Sequence, residues 1–469
     1  MDYNKMPINS FPANFLTWVP EHSKLEKPYY LSLANLLEQD IASGKLVPGT
    51  RLPPQRELAD YLGINFTTVT RAYNLCREKE LIYGVVGSGS FVAAHPGYEE
   101  PDDKVIELGV VNGFGVLRHL MTESMQSVAN KGYLDKLCSY SEPAGLLHQR
   151  IAGVRWMAGL GVTVDPDCAA IFSGAQSIIS AALLSCFKVG DRIATDRYTY
   201  YNLIGTAHLT HIQLEPVDGD ANGMIPEELD KLCRRKKISG VFLMPDCANP
   251  TTVSMDDSRR DKTAEVCRNH DLTVIEDNNT GFPGGKTPFF SRLPDQTIYI
   301  CGSAIAICSG LRVAYCAFSP VFRERLLGAL RHLSIKTSSI DAELMTELVN
   351  SGKAGAIIQE KRQLAIRANA IFSEVFPEYS APELETALFR WLPLPETFRN
   401  CEGKHIEEYL RTKGVNVYHS SRFAVGVRRS KEAGFLRVSL SSAGSNEQLK
   451  RGLIILRNAL STSEPIPNL

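Results

Sequence analysis

The sequence predicts an α/β protein: a small helical unit with a β-hairpin near the amino end, then a long α/β body. Three observations carry this. Short apolar runs (Val241–Met244, Leu272–Ile275, Ile298–Ile300) alternate with amphipathic stretches such as Ser258–Arg268, the pattern of strands and covering helices. Two helical stretches meet at Gly63, and two β-prone runs follow around Gly87-Ser88-Gly89. Between unit and body, His95, Pro96, Gly97, Glu99, Glu100, Pro101, Asp102 and Asp103 read as an acidic, Pro-containing linker. The expected division is an extension (1–23), the helical unit (24–93), the linker (94–104) and the body (105–469).

The chain has 469 residues, room for two to four domains at roughly 100–200 residues each. Hydrophobic residues are 44% and charged residues 22%, which excludes long-range disorder. The formal net charge is -1, so the total gives no sign of a polyanionic partner, although a local patch can hide in a balanced sum. Eleven cysteines form no CxxC pair and their number is odd. That reads as reduced, mostly buried thiols in a cytoplasmic protein, without structural zinc or any other metal. The uncharged run Gln296–Leu311 carries Ser303 and Ser309 and is short for a membrane span; a buried strand and loop explains it. Met1 to Trp18 has no signal-peptide pattern, though Phe15, Leu16, Trp18 and Val19 form an apolar patch.

In the amino-terminal unit, Leu33, Leu36, Leu37 and Ile41 share one face of a helix over Leu31–Ser43. Pro54–Leu62 is a second helix, closed by Gly63 as a C-cap. Asn65 caps a third helix that runs to about Lys79. Leu81–Val86 and Ser90–Ala93 then form a hairpin, or wing. Two helices joined at a tight turn and followed by a wing make a DNA-docking geometry. The stretch GKLVPGTRLPPQRELADYLGINFTTVTRAYNLCREKELIYGVVGSGSFV closely resembles the winged helix-turn-helix of GntR-type bacterial regulators. The resemblance implies a double-stranded DNA operator as partner. It places Arg51 and Arg56 on DNA, Thr67, Thr68 and Arg71 at the major groove or its phosphates, and Gly89 at the wing tip. Charge does not argue for this: between residues 25 and 92, seven basic residues face seven acidic ones.

From about residue 105 the chain resembles fold-type I pyridoxal 5'-phosphate (PLP) enzymes of the aminotransferase class. With the winged helix, and with the phrases FLTWVP and LPPQRELADYLG, it is similar to the MocR-type subfamily of GntR regulators. The resemblance implies a large mixed-sheet α/β/α domain, a smaller C-terminal α/β domain, a homodimer and a small-molecule effector. It also assigns a cofactor-shaped pocket. Ser173, Gly174, Ala175 and Gln176 lie between a strand and a helix, where backbone N–H groups suit a phosphate. Arg312 in SGLRVAY and Ser303 match phosphate-binding positions, and Tyr140 matches a Tyr that reaches the partner subunit's phosphate. Tyr200 matches the aromatic stacked on the ring, Asn249 the donor to its phenolic oxygen, and Asp277 the partner of its nitrogen. Arg437 in FLRVSLSS matches the Arg that grips an effector carboxylate.

One departure sets the expected activity. The resemblance calls for a Schiff-base lysine between Ser303 and Arg312, in a phrase that is one residue short here. Counted forward from Ser303 its position is Ala306; counted back from Arg312 it is Ile305. No lysine occurs from residue 287 through 335; Lys286 and Lys336 are the nearest. Such a lysine holds the aldehyde and shuttles a proton, which neither Ala nor Ile can do. Thr280 stands where a ring-steadying Tyr is expected, and Ser309 where a Pro is expected. The expectation is a regulator with no catalytic residue, not an enzyme. Its pocket takes PLP or pyridoxamine 5'-phosphate (PMP), or an amino-acid-derived effector, without a covalent bond; the other readings are a PLP–amino-acid aldimine formed elsewhere, a different small anionic ligand, or none, with a PLP-dependent aminotransferase as the competing class.

Overall fold

A computed structural model describes residues 17–20, 25–85, 89–93, 105–115, 117–278, 286–398, 401–426 and 434–461. The linker 94–104, the wing-tip residues 86–88 and Thr280 lie outside the described residues. The chain divides into two compact units between Lys104 and Val105.

The head contains α1 (Tyr29–Ala42), α2 (Gln55–Leu62), α3 (Phe66–Glu78), β1 (Ile82–Val85) and β2 (Gly89–Val92). Gly63 ends α2 at φ +60°, a left-handed position that costs a glycine little. Asn65 Oδ1 accepts the Thr67 backbone N–H at 2.9 Å and so starts α3. β1 and β2 pair antiparallel from Ile82↔Val92 to Val85↔Gly89. Leu33, Leu37, Leu58, Leu62, Val69 and Tyr73 fill the core. Trp18 joins that core, and its Nε1 donates to Asp40 Oδ2 at 2.8 Å. This part of the expected extension therefore belongs to the head.

The body begins with β3 (Ile106–Glu107), α4 (Arg118–Ala129), α5 (Leu134–Leu137) and α6 (Leu147–Ala158). There follow β4 (Ala169–Phe172), α7 (Ala175–Cys186), β5 (Arg192–Asp196), α8 (Tyr201–Leu209) and β6 (Gln213–Val217). A small hairpin, β7 (Gly219–Asp220) and β8 (Gly223–Met224), leads to α9 (Pro226–Arg235), β9 (Gly240–Leu243), α10 (Asp257–Asn269) and β10 (Thr273–Asp277). Next come α11 (Phe289–Arg292), β11 (Thr297–Gly302), β12 (Ala314–Phe318), α12 (Pro320–Ser334), α13 (Ser339–Asn350) and α14 (Lys353–Val375). The chain closes with β13 (Phe389–Pro393), α15 (Gly403–Thr412), β14 (Val415–Asn416), β15 (Tyr418–His419), β16 (Phe435–Ser439) and α16 (Asn446–Leu460).

Among the described residues, seven strands form one sheet in the order β4-β12-β11-β10-β9-β5-β6. Strands β6, β5, β9, β10 and β11 run parallel. β12 is antiparallel to both its neighbours, so β4 runs with the parallel set. Six strands thus end at one edge, where ligands bind in open α/β sheets. The run Gln296–Leu311 is β11 and the turn after it, not a span. Among the described residues no helix is long and apolar enough to cross a membrane. A smaller sheet, β13-β16-β15, packs with α14, α15 and α16 around a second core. The cysteines are free, but the expectation of mostly buried thiols needs correction: Cys138 is exposed and several others are half-buried.

Candidate functional sites

On the head, Phe66, Thr67, Arg71 and Asn74 are exposed along α3, and Thr68 is half-buried. Thr67 Oγ1 donates to Asn65 Oδ1 at 2.8 Å, so its proton serves the cap and its lone pairs face outward. Two guanidinium groups rest on aromatic rings: Arg71 lies 4.2 Å from the Tyr30 ring and Arg56 5.7 Å from the Phe66 ring. Gly89 has φ +114°, and a Cβ there would sit 3.3 Å from Arg51 Nε.

The balanced charge of the head sorts itself in space. Lys79 pairs with Glu38 at 2.5 Å and Lys45 with Asp40 at 3.0 Å. Arg51, Arg56, Arg71 and Arg77 have no carboxylate partner among the described residues. The cations near α3 and the wing are therefore unneutralised arginines. Asn74 and Arg77, absent from the sequence candidates, share this face: Arg77 Nη1 donates to Asn74 Oδ1 at 3.0 Å. Their spacing of three and six residues from Arg71 is the signal that could have found them.

In the body, the loops at the carboxyl edge bring the expected residues together. Gly174, between β4 and α7, has φ +89°. A Cβ there would lie 2.5 Å from Arg312 Nη2, so only glycine lets the guanidinium rest at the start of α7. Ala175 opens the helix and Gln176 donates to Thr206 Oγ1 at 2.7 Å, while Gln176 Oε1 is buried without a partner. Ser173 Oγ reaches Thr337 Oγ1 at 3.4 Å. Tyr200 precedes α8 and its hydroxyl accepts from Asn202 Nδ2 at 2.8 Å. Burial raises the Tyr200 pKa above the usual phenol value; the nearby Asp277 charge raises it further and Arg312 opposes this. Asp277 ends β10 and is buried.

Arg437, on β16, is buried and charged. Its Nη1 donates to Asn249 Oδ1 at 2.9 Å and its Nη2 to the Gly109 carbonyl at 2.6 Å. Its Nε has no partner, and the group has no carboxylate among the described residues. The rings of Phe423 (4.8 Å), Tyr418 (5.4 Å) and Phe389 (5.8 Å) surround it. Burial pushes its pKa down to about 10, which still leaves it protonated at neutral pH. A buried guanidinium without an anion is suited to a ligand carboxylate.

Other candidates sit differently. Ser303 is buried and its hydroxyl donates to the Val313 carbonyl at 2.7 Å, so its proton is taken up by the turn. Tyr140 is 84% exposed, outside the pocket of its own chain. Lys286 Nζ donates to Ser254 Oγ at 2.7 Å and to the Met255 carbonyl at 3.1 Å. Lys336 Nζ donates to Ser339 Oγ at 2.6 Å and to the Ser139 carbonyl at 2.8 Å. Both amines thus already have partners: Lys286 on the segment before α10, Lys336 on the loop after α5 and the start of α13.

Ile305 and Ala306 lie in the turn after β11 and diverge. Ile305 packs on the cluster of Ala365, Leu388 and Phe389; Ala306 packs on the core that holds Tyr299 and Tyr315. A lysine does come to this turn, from α14. Lys361 Nζ donates to the carbonyls of Ile307 (2.7 Å) and Ile305 (3.1 Å). Its distance along the chain, more than 50 residues from the turn, hides it in the sequence. Its signal was a lysine in the buried stripe Ala354, Ile357, Lys361, Ala365, Ala368.

A winged helix-turn-helix and an aminotransferase-type body in one chain define a class of fused bacterial regulators. The model for bacterial regulatory proteins of the gntR family matches residues 29–92, and that for aminotransferase class I and II matches 113–456. The HTH-type transcriptional regulator YdeF of Bacillus subtilis is 35% identical over 97% of this chain and 99% of its own. YjiR of Escherichia coli, also described as an HTH-type transcriptional regulator, is 26% identical over 78% and 86%. Pyrococcus horikoshii kynurenine aminotransferase, solved with PMP, shares the fold at TM-score 0.68 and 20% identity over 77% of this chain and 91% of its own. An archaeal alanine:glyoxylate aminotransferase gives TM-score 0.69 at 18% identity over 76% and 90%. The chain belongs to the MocR-type GntR regulators, with a winged helix-turn-helix and a fold-type I aminotransferase-like domain.

Proposed function

We propose that this regulator binds a double-stranded operator through α3 and the wing, and that its body is a catalytically inactive sensor. The carrying observation is the turn after β11: Ile305 and Ala306 offer no amine, and Lys286 and Lys336 are held elsewhere. PLP, when bound, supplies an aldehyde and an electron-withdrawing ring. The residues present fit PLP or PMP held without a covalent bond. Arg312 and the start of α7 suit the phosphate, and Gly174 leaves room for that pairing. Asn249 keeps its Nδ2 for a phenolic oxygen, because Arg437 occupies Oδ1. Asp277 suits a protonated ring nitrogen, and Tyr200 a ring face. Arg437 then takes the carboxylate of an amino-acid-derived effector. A ligand changes operator affinity by its differential affinity for the DNA-competent state.

A homodimer is part of the proposal. Tyr140, Leu147, Ile151, Leu333, Ile335 and Ile340 are all exposed. Their segments are tied together by Lys336 to Ser139 and by Gln149 to the Ser339 carbonyl. A second copy would cover this apolar surface.

Ser303 favours a second reading. With its proton on Val313, the phosphate set lacks one donor, which suits a different small anion. Calorimetric titration with PLP, PMP and inorganic phosphate, with absorbance recorded, separates the two. Saturable PLP or PMP binding without the absorbance of a lysine-linked cofactor supports the first reading. Absence of binding at ~1 mM, where affinity is worth only about 4 kcal/mol, removes it.

A further inference from the structure

A cavity of about 290 Å³ lies at the carboxyl edge, at the ends of β5, β6 and β9 and against the segment around Asn249. Among the described residues, Val217, Met244, Ala248, Val253 and Met255 line it with apolar surface, and Tyr198 adds a ring. Three carboxylates border it. Asp218 pairs with Arg197, and Asp220 with Arg259 at 2.7 Å. The carboxylate of Asp196, the last residue of β5, has no ion pair or hydrogen bond among the described residues.

We propose that this cavity binds a small amine, with its apolar body against the methionine and valine walls and its ammonium on the Asp196 carboxylate. The chemistry follows from the lining. An apolar pocket with one unpaired anion selects a ligand of opposite charge and apolar bulk. An anionic ligand would meet Asp196 with the same sign. With no polar partner to oppose it, burial alone pushes the Asp196 pKa up to about 7.

None of the expected cofactor residues lines this cavity, but its lining adjoins them. Ala248 lines the cavity, and the next residue, Asn249, bonds Arg437. Tyr198 lines it too, with its ring 5.3 Å from that of Trp391; the Trp391 ring in turn is 6.2 Å from that of Phe423, which lies against Arg437. An amine here is placed to act on the same residues as a carboxylate effector.

The test titrates full-length protein with phenethylamine by calorimetry, with phenylpropanoate as the anion of similar shape. Saturable binding of the amine alone is expected. Asp196→Asn, close to isosteric, should weaken it at least about tenfold. Val253→Trp, which fills the cavity, should abolish it, with circular dichroism checking the fold. PLP and PMP titrations of Asp196→Asn should match wild type, which separates this site from the other pocket. The proposal is overturned by no saturable amine binding up to ~10 mM, an affinity of only about 3 kcal/mol. It is equally overturned by an unchanged affinity in Asp196→Asn, or by equal binding of phenylpropanoate.

Discussion

The ammonium of Lys361 lies 2.7 Å from the carbonyl oxygen of Ile307, with Ile305 as its second acceptor at 3.1 Å. A buried cation from α14 thus holds the turn in which the family resemblance expects a lysine of its own. Burial pushes the Lys361 pKa down to about 8, and the only opposing influence is Cys308. The folded state therefore gives up its proton near pH 8, while the unfolded chain keeps it to about 10.4. Between those values the unfolded state binds more protons, so stability rises with pH. Compared with Lys361→Met, the wild type should gain up to about 3 kcal/mol from pH 8 to 10.5. Chemical denaturation of both proteins across that range measures it; parallel pH profiles would remove the assignment.

Restoring the amine should distinguish two neighbouring positions. Ile305 packs on the cluster of Ala365, Leu388 and Phe389, and Phe389 lies against Arg437. Ala306 packs on the core on the other side. Ile305→Lys is therefore expected to give PLP-treated protein the visible absorbance of a lysine-linked cofactor, reducible with borohydride. Ala306→Lys should give none. The reverse result would place the pocket on the wrong side of the turn.

The head arginines without acid partners should matter more than the paired lysines. Arg56→Ala and Arg71→Ala should each weaken binding about tenfold to a duplex selected from a random pool by the wild type. Each should also reduce the salt dependence by about one phosphate contact. Lys79→Ala, whose ammonium already serves Glu38, should change affinity by less than about twofold. Sedimentation of the arginine variants should match that of the wild type.

Glu343 fastens α13 to α6 and to the loop after α4. Its carboxylate accepts from Lys131 (2.9 Å), Tyr133 (2.8 Å) and Gln149 (2.9 Å), and pairs with His148 at 2.6 Å. Burial raises its pKa, but these bonds outweigh that and bring it down to about 2. A depressed carboxyl pKa gives stability that is complete above the unfolded value, about 4.3, and lost as pH falls towards 2. Glu343→Ala should cost about 1–3 kcal/mol at pH 7, since it strands the buried Gln149 amide and leaves Lys131 with Glu347 alone. The variant should also have a flatter acid limb than wild type between pH 4.5 and 2 in denaturation experiments.

Much of this was legible in the residues. Gly63 and Asn65 mark the helix-turn-helix because each has a local job: one a left-handed cap, the other a side chain on an N–H two residues on. The apolar runs mark the strands because burial on both faces needs no polar alternation. The order of Ser173, Tyr200, Asn249, Asp277, Ser303 and Arg312 along the chain marks the pocket: the first five end or follow a parallel strand, and Arg312 precedes the antiparallel β12, so all come to one edge. The missing amine at 305 and 306 is a fact of sequence alone.

Other features depend on residues far apart in the chain. Lys361 is 54 residues from Ile307, and only the packing of α14 makes them neighbours. Arg437 meets Asn249 across 188 residues, through the pairing of β16 with the small sheet. The head's even count of charges became an unneutralised arginine face because Glu38 and Asp40 on α1 capture Lys79 and Lys45. The sequence by itself determined the local elements, their order and which side chains are chemically available. Tertiary structure decided which of those side chains already have partners, because hydrogen bonds and ion pairs are satisfied in space and not along the chain.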